Sequence, residues 1–118
     1  MHQATHHCWS DIEVEPMNPQ IGRQFITGTG TMIARILLSK GAHVPLHSHV
    51  NEQVTYVLSG ALKFVLEGRE VTVHAGEVLC IPPSIPHEVF ALEDTVDLDV
   101  FTPPRQDWID RDDAYLRG

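Results

Sequence analysis

A chain of 118 residues suits one domain, and its 42% hydrophobic content supports a modest core. A formal net charge of -8 disfavours nucleic acid, whose phosphates need a basic footprint, and anionic membrane surfaces as well. Cys8 and Cys80 are too few and too far apart for a disulfide framework, and neither a secretory apolar segment nor an ~18-residue apolar run is present, which together predict a soluble cytoplasmic protein.

Residues 1–30 read as an N-terminal arm of the same domain: polar, broken by Pro16 and Pro19, with one weak apolar patch. His2, His6 and His7 lie in this arm and are read as exposed side chains rather than a second metal site. Trp9 is expected to anchor the arm to a core or to a neighbouring subunit. From Thr31 the text changes. "TMIARILLS" is rich in β-formers and "KGAHVP" interrupts it; "EQVTYVLS", "ALKFVLE", "REVTVH", "EVLCIP", "HEVFAL" and "TVDLDVF" follow at short intervals. Gly60, Gly68 and Gly76 stand where hairpin turns need positive φ. Many short strands at regular spacing, with no sustained 3.6-residue period, predict an all-β barrel or sandwich over residues 31–104. The polar tail, 105–118, fits a turn of helix.

Strand parity then assigns faces. If Gln53 points inward, so do Thr55 and Val57, while Glu52, Tyr56 and Leu58 point out. If His87 points inward, so do Val89 and Ala91, with Phe90 outward. Asp97, Asp99 and Phe101 share one face of the last strand, opposite the purely apolar Leu98 and Val100, so one of these faces is not an ordinary core. Cys80, with apolar neighbours in "VLCIP", is expected to be a small core residue, and His43 and His74 to be structural.

"HSHVNEQ", residues 47–53, is poor material for a core and implies either a solvated loop or a metal. His47 and His49, at i and i+2 on a strand, lie on one face roughly 6.5–7 Å apart along the chain, and Gln53 returns to the same parity. His87, distant in sequence, is a fourth candidate that a barrel brings close. Imidazole is the general transition-metal ligand at neutral pH.

"GAHVPLHSHVNEQVTYVLSG" resembles the first motif of the cupins, with Gly41, His47, His49, Gln53 and Gly60 in its slots, and "GEVLCIPPSIPHEVFA" resembles the second, with Gly76, Pro82 and His87 matching. Ser84 replaces a motif glycine and Ala91 a motif asparagine. The resemblance implies a jelly-roll, double-stranded β-helix barrel binding one divalent transition metal (Zn, Ni, Mn, Fe or Co) through His47, His49, Gln53 and His87. Many cupins carry glutamate where Gln53 stands. With an amide the donor set is neutral, the dication keeps its charge, and the chemistry tilts from oxidation towards polarising a carboxylate or enolate.

"DLDVFTPPRQDW" resembles the ending of small cupins of the KdgF type, which convert cyclic 4,5-unsaturated uronates into linear keto sugars. That resemblance implies an anionic sugar-derived substrate. Asp99 would move the proton, Arg105 would pair with the substrate carboxylate or position Asp99, and Phe101 would pack the ring and exclude water. The competing structural reading makes Asp99 and Arg105 an ion pair closing the barrel's end, with Phe101 as core. Two other functions compete: a cupin dioxygenase, and a non-catalytic small-ligand or sugar-binding cupin. Apolar residues on both faces, Tyr56 and Phe90 among them, predict a homodimer.

Overall fold

Period-two burial is plain along β3 (Met32–Leu38): Met32, Ala34, Ile36 and Leu38 are buried, and Ile33, Arg35 and Leu37 between them are half-buried. The computed structural model describes residues 3–117. A 3₁₀ turn at Trp9–Asp11 leads into β1 (Glu15–Asn18) and β2 (Ile21–Thr27). After β3 come β4 (His43–His47), β5 (Glu52–Ser59), β6 (Ala61–Leu66), β7 (Arg69–His74), β8 (Val78–Ile81), β9 (His87–Ala91) and β10 (Thr95–Thr102). Two short helices, α1 (Gln106–Ile109) and α2 (Ala114–Arg117), end the described chain.

The strands form a six-stranded sheet, β1-β2-β3-β10-β5-β8, and a four-stranded sheet, β4-β9-β6-β7, and the paired strands run antiparallel. This is the jelly-roll barrel expected from the sequence. Its core joins Met32, Ala34, Val57, Ile81 and Phe101 of the first sheet to Leu62, Phe64, Val73 and Val89 of the second. Burial of a ring such as Phe64 contributes roughly 1.5–3 kcal/mol relative to its exposure. At Gly60, φ is +89° and a Cβ would run into the carbonyl oxygen of Asp94, so the β5–β6 turn requires glycine twice over.

Three features differ from the sequence reading. The arm, drawn to residue 30, contributes β1 and β2 to the large sheet; Pro16 is tolerated because β1 is an edge strand. "KGAHVP" interrupts β3 but its second half begins β4, a strand not expected. Cys80 is exposed rather than core. Its strand is registered by Gln53↔Ile81 and Val54↔Cys80, so turning Gln53 inward turns Ile81 inward and Cys80 outward. Ser84, in keeping with the glycine it replaces, has a positive φ of +65°.

The other faces follow the predicted parity. Gln53, Thr55 and Val57 are buried, whereas Tyr56 and Leu58 remain 41% and 43% exposed. Phe90 is half-buried by its own neighbours: His43 stacks on it at 4.7 Å and the Lys63 ammonium lies 4.9 Å from its centroid. Trp9 is half-buried and its carbonyl accepts from Gln24 Nε2, so the arm is tied to its own sheet. His6, His7 and His74 are exposed, and His2 lies outside the described residues. Among the described residues no helix is long and apolar enough to cross a membrane.

Candidate metal centre

His47 ends β4 and pairs in register with His87, the first residue of β9. His49 has left the strand, so the expected strand geometry holds for only one histidine of the pair. The loop carries His49 back to the same place. Asn51 anchors it: this buried amide donates to the carbonyls of Pro103 (2.6 Å) and Pro104 (3.2 Å), and the Ser84 N–H donates to the His49 carbonyl at 2.8 Å. The ligand nitrogens of His47, His49 and His87 lie within 4.8 Å of one another.

Backbone carbonyls set the tautomer of each ring. Nδ1 of His47 faces Pro45 O at 2.8 Å, Nδ1 of His49 faces Asn51 O at 3.0 Å, and Nδ1 of His87 faces Ile85 O at 2.8 Å. A carbonyl only accepts, so each Nδ1 holds the proton and each Nε2 keeps its lone pair. Burial, reinforced by the neighbouring rings and Arg105, lowers His47 and His49 to about 4 and lowers His87 as well. All three are neutral ligands at neutral pH.

The fourth donor is oriented from behind. Gln53 Nε2 donates to Thr55 Oγ1 at 2.9 Å, which turns Oε1 towards His49 Nε2, 3.0 Å away. An amide oxygen and an imidazole lone pair therefore face the same point, an arrangement that a shared cation stabilises. His87 Nε2 is buried with no hydrogen-bond partner among the described residues. Both observations fit a divalent ion held by His47, His49, Gln53 and His87.

Behind Gln53 lies a buried acid pair. Asp99 Oδ1 accepts from Thr55 Oγ1 at 2.7 Å and from Gln53 Nε2 at 3.5 Å. Asp97 and Asp99 are 3% and 7% exposed and project from the same face of β10, so two carboxyls are buried side by side. Burial raises both; for Asp97 the Asp99 charge adds to it, whereas Thr55, Gln53 and the Arg105 charge partly offset it at Asp99. Asp97 is therefore the more strongly raised of the two, and Asp99 is the member that receives hydrogen bonds from the site.

Comparison with protein families places this geometry. The model of the cupin domain matches residues 34–102, well over half of the chain. The chain belongs to the cupin family. Among solved structures, this cupin resembles KdgF from Halomonas sp. at 26% identity and a TM-score of 0.84, over 90% of this chain and 99% of that one. It also resembles an RmlC-like cupin from Shewanella frigidimarina at 27% identity and a TM-score of 0.82, over 92% of this chain and 99% of that one. Oxalate decarboxylase OxdC from Bacillus subtilis shares the fold at 21% identity and a TM-score of 0.73, over 86% of this chain and 31% of that one. A search of curated proteins found no match.

The remaining predicted site residues of the cupin are Phe101 and Arg105. Phe101 is 1% exposed and meets His49 edge-on at 5.6 Å between centroids. Among the described residues Arg105 does not form the ion pair with Asp99 that the competing structural reading required. Its Nε and Nη2 grip both oxygens of Asp107, at 2.9 and 2.7 Å, and its guanidinium lies between Phe101 (4.9 Å) and Trp108 (4.6 Å). Asp107, two residues on, reaches the fork first because the chain turns into α1 there. Arg105 acts on Asp99 through its charge alone. His47, Gln53, His87, Asp97, Asp99, Phe101 and Arg105 line one cavity. Thr55 and Asp97 were visible in the parity of their strands; Asn51 and Tyr115, which also touch the site, gave no signal of their role.

Proposed function

We propose that this cupin is a metal-dependent enzyme acting on a small anionic sugar-derived substrate, and that it linearises 4,5-unsaturated uronates. The observation that carries the reading is the hydrogen-bonded path from the ligand set to a buried acid: Gln53 contributes its oxygen to the imidazole cluster and its nitrogen to Thr55 and Asp99. The likeness to KdgF from Halomonas sp. along nearly the whole of both chains supports it. Lewis acidity towards a carboxylate or an enolate oxygen is what a divalent ion would supply at His47, His49, Gln53 and His87.

The chain's own residues account for the proton. Opening the hemiacetal of an unsaturated uronate at C1 leaves an enol at C5, and the ketone forms when a proton arrives at C4. Asp99 takes the C1 hydroxyl proton as the ring opens and returns it at C4, as general base and then general acid, while Asp97 beside it, raised by burial and by the Asp99 charge, stays protonated. Thr55 and Gln53 hold the Asp99 oxygen in place. Phe101 shields the site from water and Arg105 supplies positive charge. We assign the exposed stripe of Tyr56, Leu58 and Val78 on the large sheet to a homodimer contact.

The test is the loss of ultraviolet absorbance of the conjugated double bond in a lyase digest, for wild type and Asp99→Asn at matched metal content. Asp99→Asn should retain metal and fold and lose at least about tenfold in rate, since such groups contribute ~10²–10⁴. No turnover by wild type above the spontaneous rate refutes the activity, and equal rates make Asp99 structural. Oxygen uptake instead of absorbance loss would favour a dioxygenase.

A further inference from the structure

The tail beyond the matched cupin region returns across the site. The Tyr115 ring stacks on His47 with centroids 4.6 Å apart and planes at 25°. Its hydroxyl accepts from Arg105 Nη2 at 2.6 Å and from Trp108 Nε1 at 3.1 Å. Tyr115 also lines the cavity that holds His47, Gln53, His87 and Asp99. It therefore occupies the space beside a metal-ligating imidazole and engages the guanidinium that an anion would use.

What holds the tail there is largely polar and directional. Asp113, with no exposed surface, accepts from Arg23 Nη1 at 2.6 Å and Arg117 Nε at 2.8 Å. Glu15 accepts from Arg23 Nη2 at 2.7 Å, Arg117 Nη2 at 2.9 Å and Arg111 Nη2 at 2.6 Å. These ion pairs tie α2 and the loop before it to β1 and β2, and from α2 only Leu116 is buried in the core.

We propose that Tyr115 is the specificity-determining residue of this site: a displaceable cover over His47, which a small carboxylate opens by taking Arg105 from the tyrosine hydroxyl. Arg105 is suited to the exchange. Its Nε–Nη2 edge is fixed by Asp107, and among the described residues Nη1 makes no hydrogen bond, so loss of Tyr115 leaves the Nη1–Nη2 edge for two parallel bonds. A carboxylate makes that bidentate, charge-assisted contact and a phenol does not. A neutral sugar offers nothing to replace the hydroxyl, so the cover stays shut against it. The choice of a carboxylate rests on the proposed function; the cover itself does not.

The experiment uses zinc-loaded, full-length protein and two saturated probes, galacturonate and galactose, so that turnover plays no part. Calorimetry should show galacturonate bound and galactose not. Tyr115→Phe keeps the ring and removes the competing hydroxyl, and should tighten galacturonate binding by about tenfold, the scale of one charge-assisted hydrogen bond. Tyr115→Ala should admit galactose as well. Separately, zinc release to the coloured chelator 4-(2-pyridylazo)resorcinol should accelerate about tenfold in Tyr115→Ala and in Arg117→Gln, because release follows the population of the open form. Arg117 is one-third exposed, which keeps that variant foldable. Galacturonate affinity lowered or unchanged in Tyr115→Phe overturns the exchange, as does no galacturonate binding to either protein. Release rates unchanged in both variants overturn the cover. Failure to turn over unsaturated uronates touches neither measurement.

Discussion

Replacing Asp97 by asparagine should make the protein more stable at neutral pH and change how its stability depends on pH. Asp97 sits on β10 opposite Ile36 and Val57, with one carboxyl oxygen lacking any partner among the described residues. With Asp99 beside it, the pair keeps a proton that two unfolded carboxyls release near pH ~3.9. A folded group whose pKa is raised contributes its full stability below the unfolded pKa and loses it as pH rises through the folded value. One retained proton gives a slope of about 1.4 kcal/mol of stability lost for each pH unit in that window. Asparagine removes the ionisation and presents an amide N–H in place of the buried carboxyl. Urea unfolding of metal-stripped protein, from about pH 5 to about pH 8, reads the difference between the two proteins. Titration of the histidines is common to both and cancels. The variant's advantage should widen with pH across this window. Parallel curves, or a variant less stable at the alkaline end, would refute the assignment of the proton to this pair.

Three further outcomes follow from the site and the turns. His49→Ala should lose most of the bound metal, because the chelate loses the nitrogen facing Gln53; full metal content by elemental analysis contradicts the ligand set. Bound metal should survive acidification through about pH 6.5, where an ordinary histidine protonates, and be lost nearer the value of about 4 to which burial lowers His47 and His49; half-loss at the higher pH would show ordinary, solvated imidazoles. Ser84→Gly should stabilise the fold by about 0.5 kcal/mol, as relief of a left-handed backbone outweighs the entropy of the unfolded glycine; thermal unfolding measures it.

The barrel was legible in the sequence because its strands are short, several of them (β3, β9 and most of β10) alternate in burial, and Gly60, Gly68 and Gly76, all with positive φ, punctuate them. The cluster of His47, His49 and His87 beside Gln53 was legible because period two carries Gln53 inward and the two motifs bracket the histidines. Parity also exposed the acids on β10, though not which of them keeps the proton, since that depends on Thr55 and Gln53 arriving from a neighbouring strand. β1 was missed because a proline and polar residues suit an edge, where one side of the strand has no pairing demand, and β2 because Arg23 and Gln24 are buried at its centre and break the apolar pattern. Cys80 was misplaced because an apolar neighbourhood says nothing about register. The path of the tail was hidden for a different reason: Arg23 meets Asp113, ninety positions away, and charge pairs at that separation leave no periodic trace.

Gln53 has a consequence for how this site can vary among related barrels. Its side chain offers an acceptor on one side and a donor on the other, and both are used: Oε1 faces His49 while Nε2 serves Thr55 and Asp99. Glutamate there would keep the acceptor and lose the donor, setting a carboxylate against the acid at 99. The two positions are therefore chemically linked. Glutamine belongs with an acid at the site of Asp99, and glutamate belongs with a neutral or cationic residue there, so the pair should covary across aligned cupins and should be exchanged together when the metal's charge environment is redesigned.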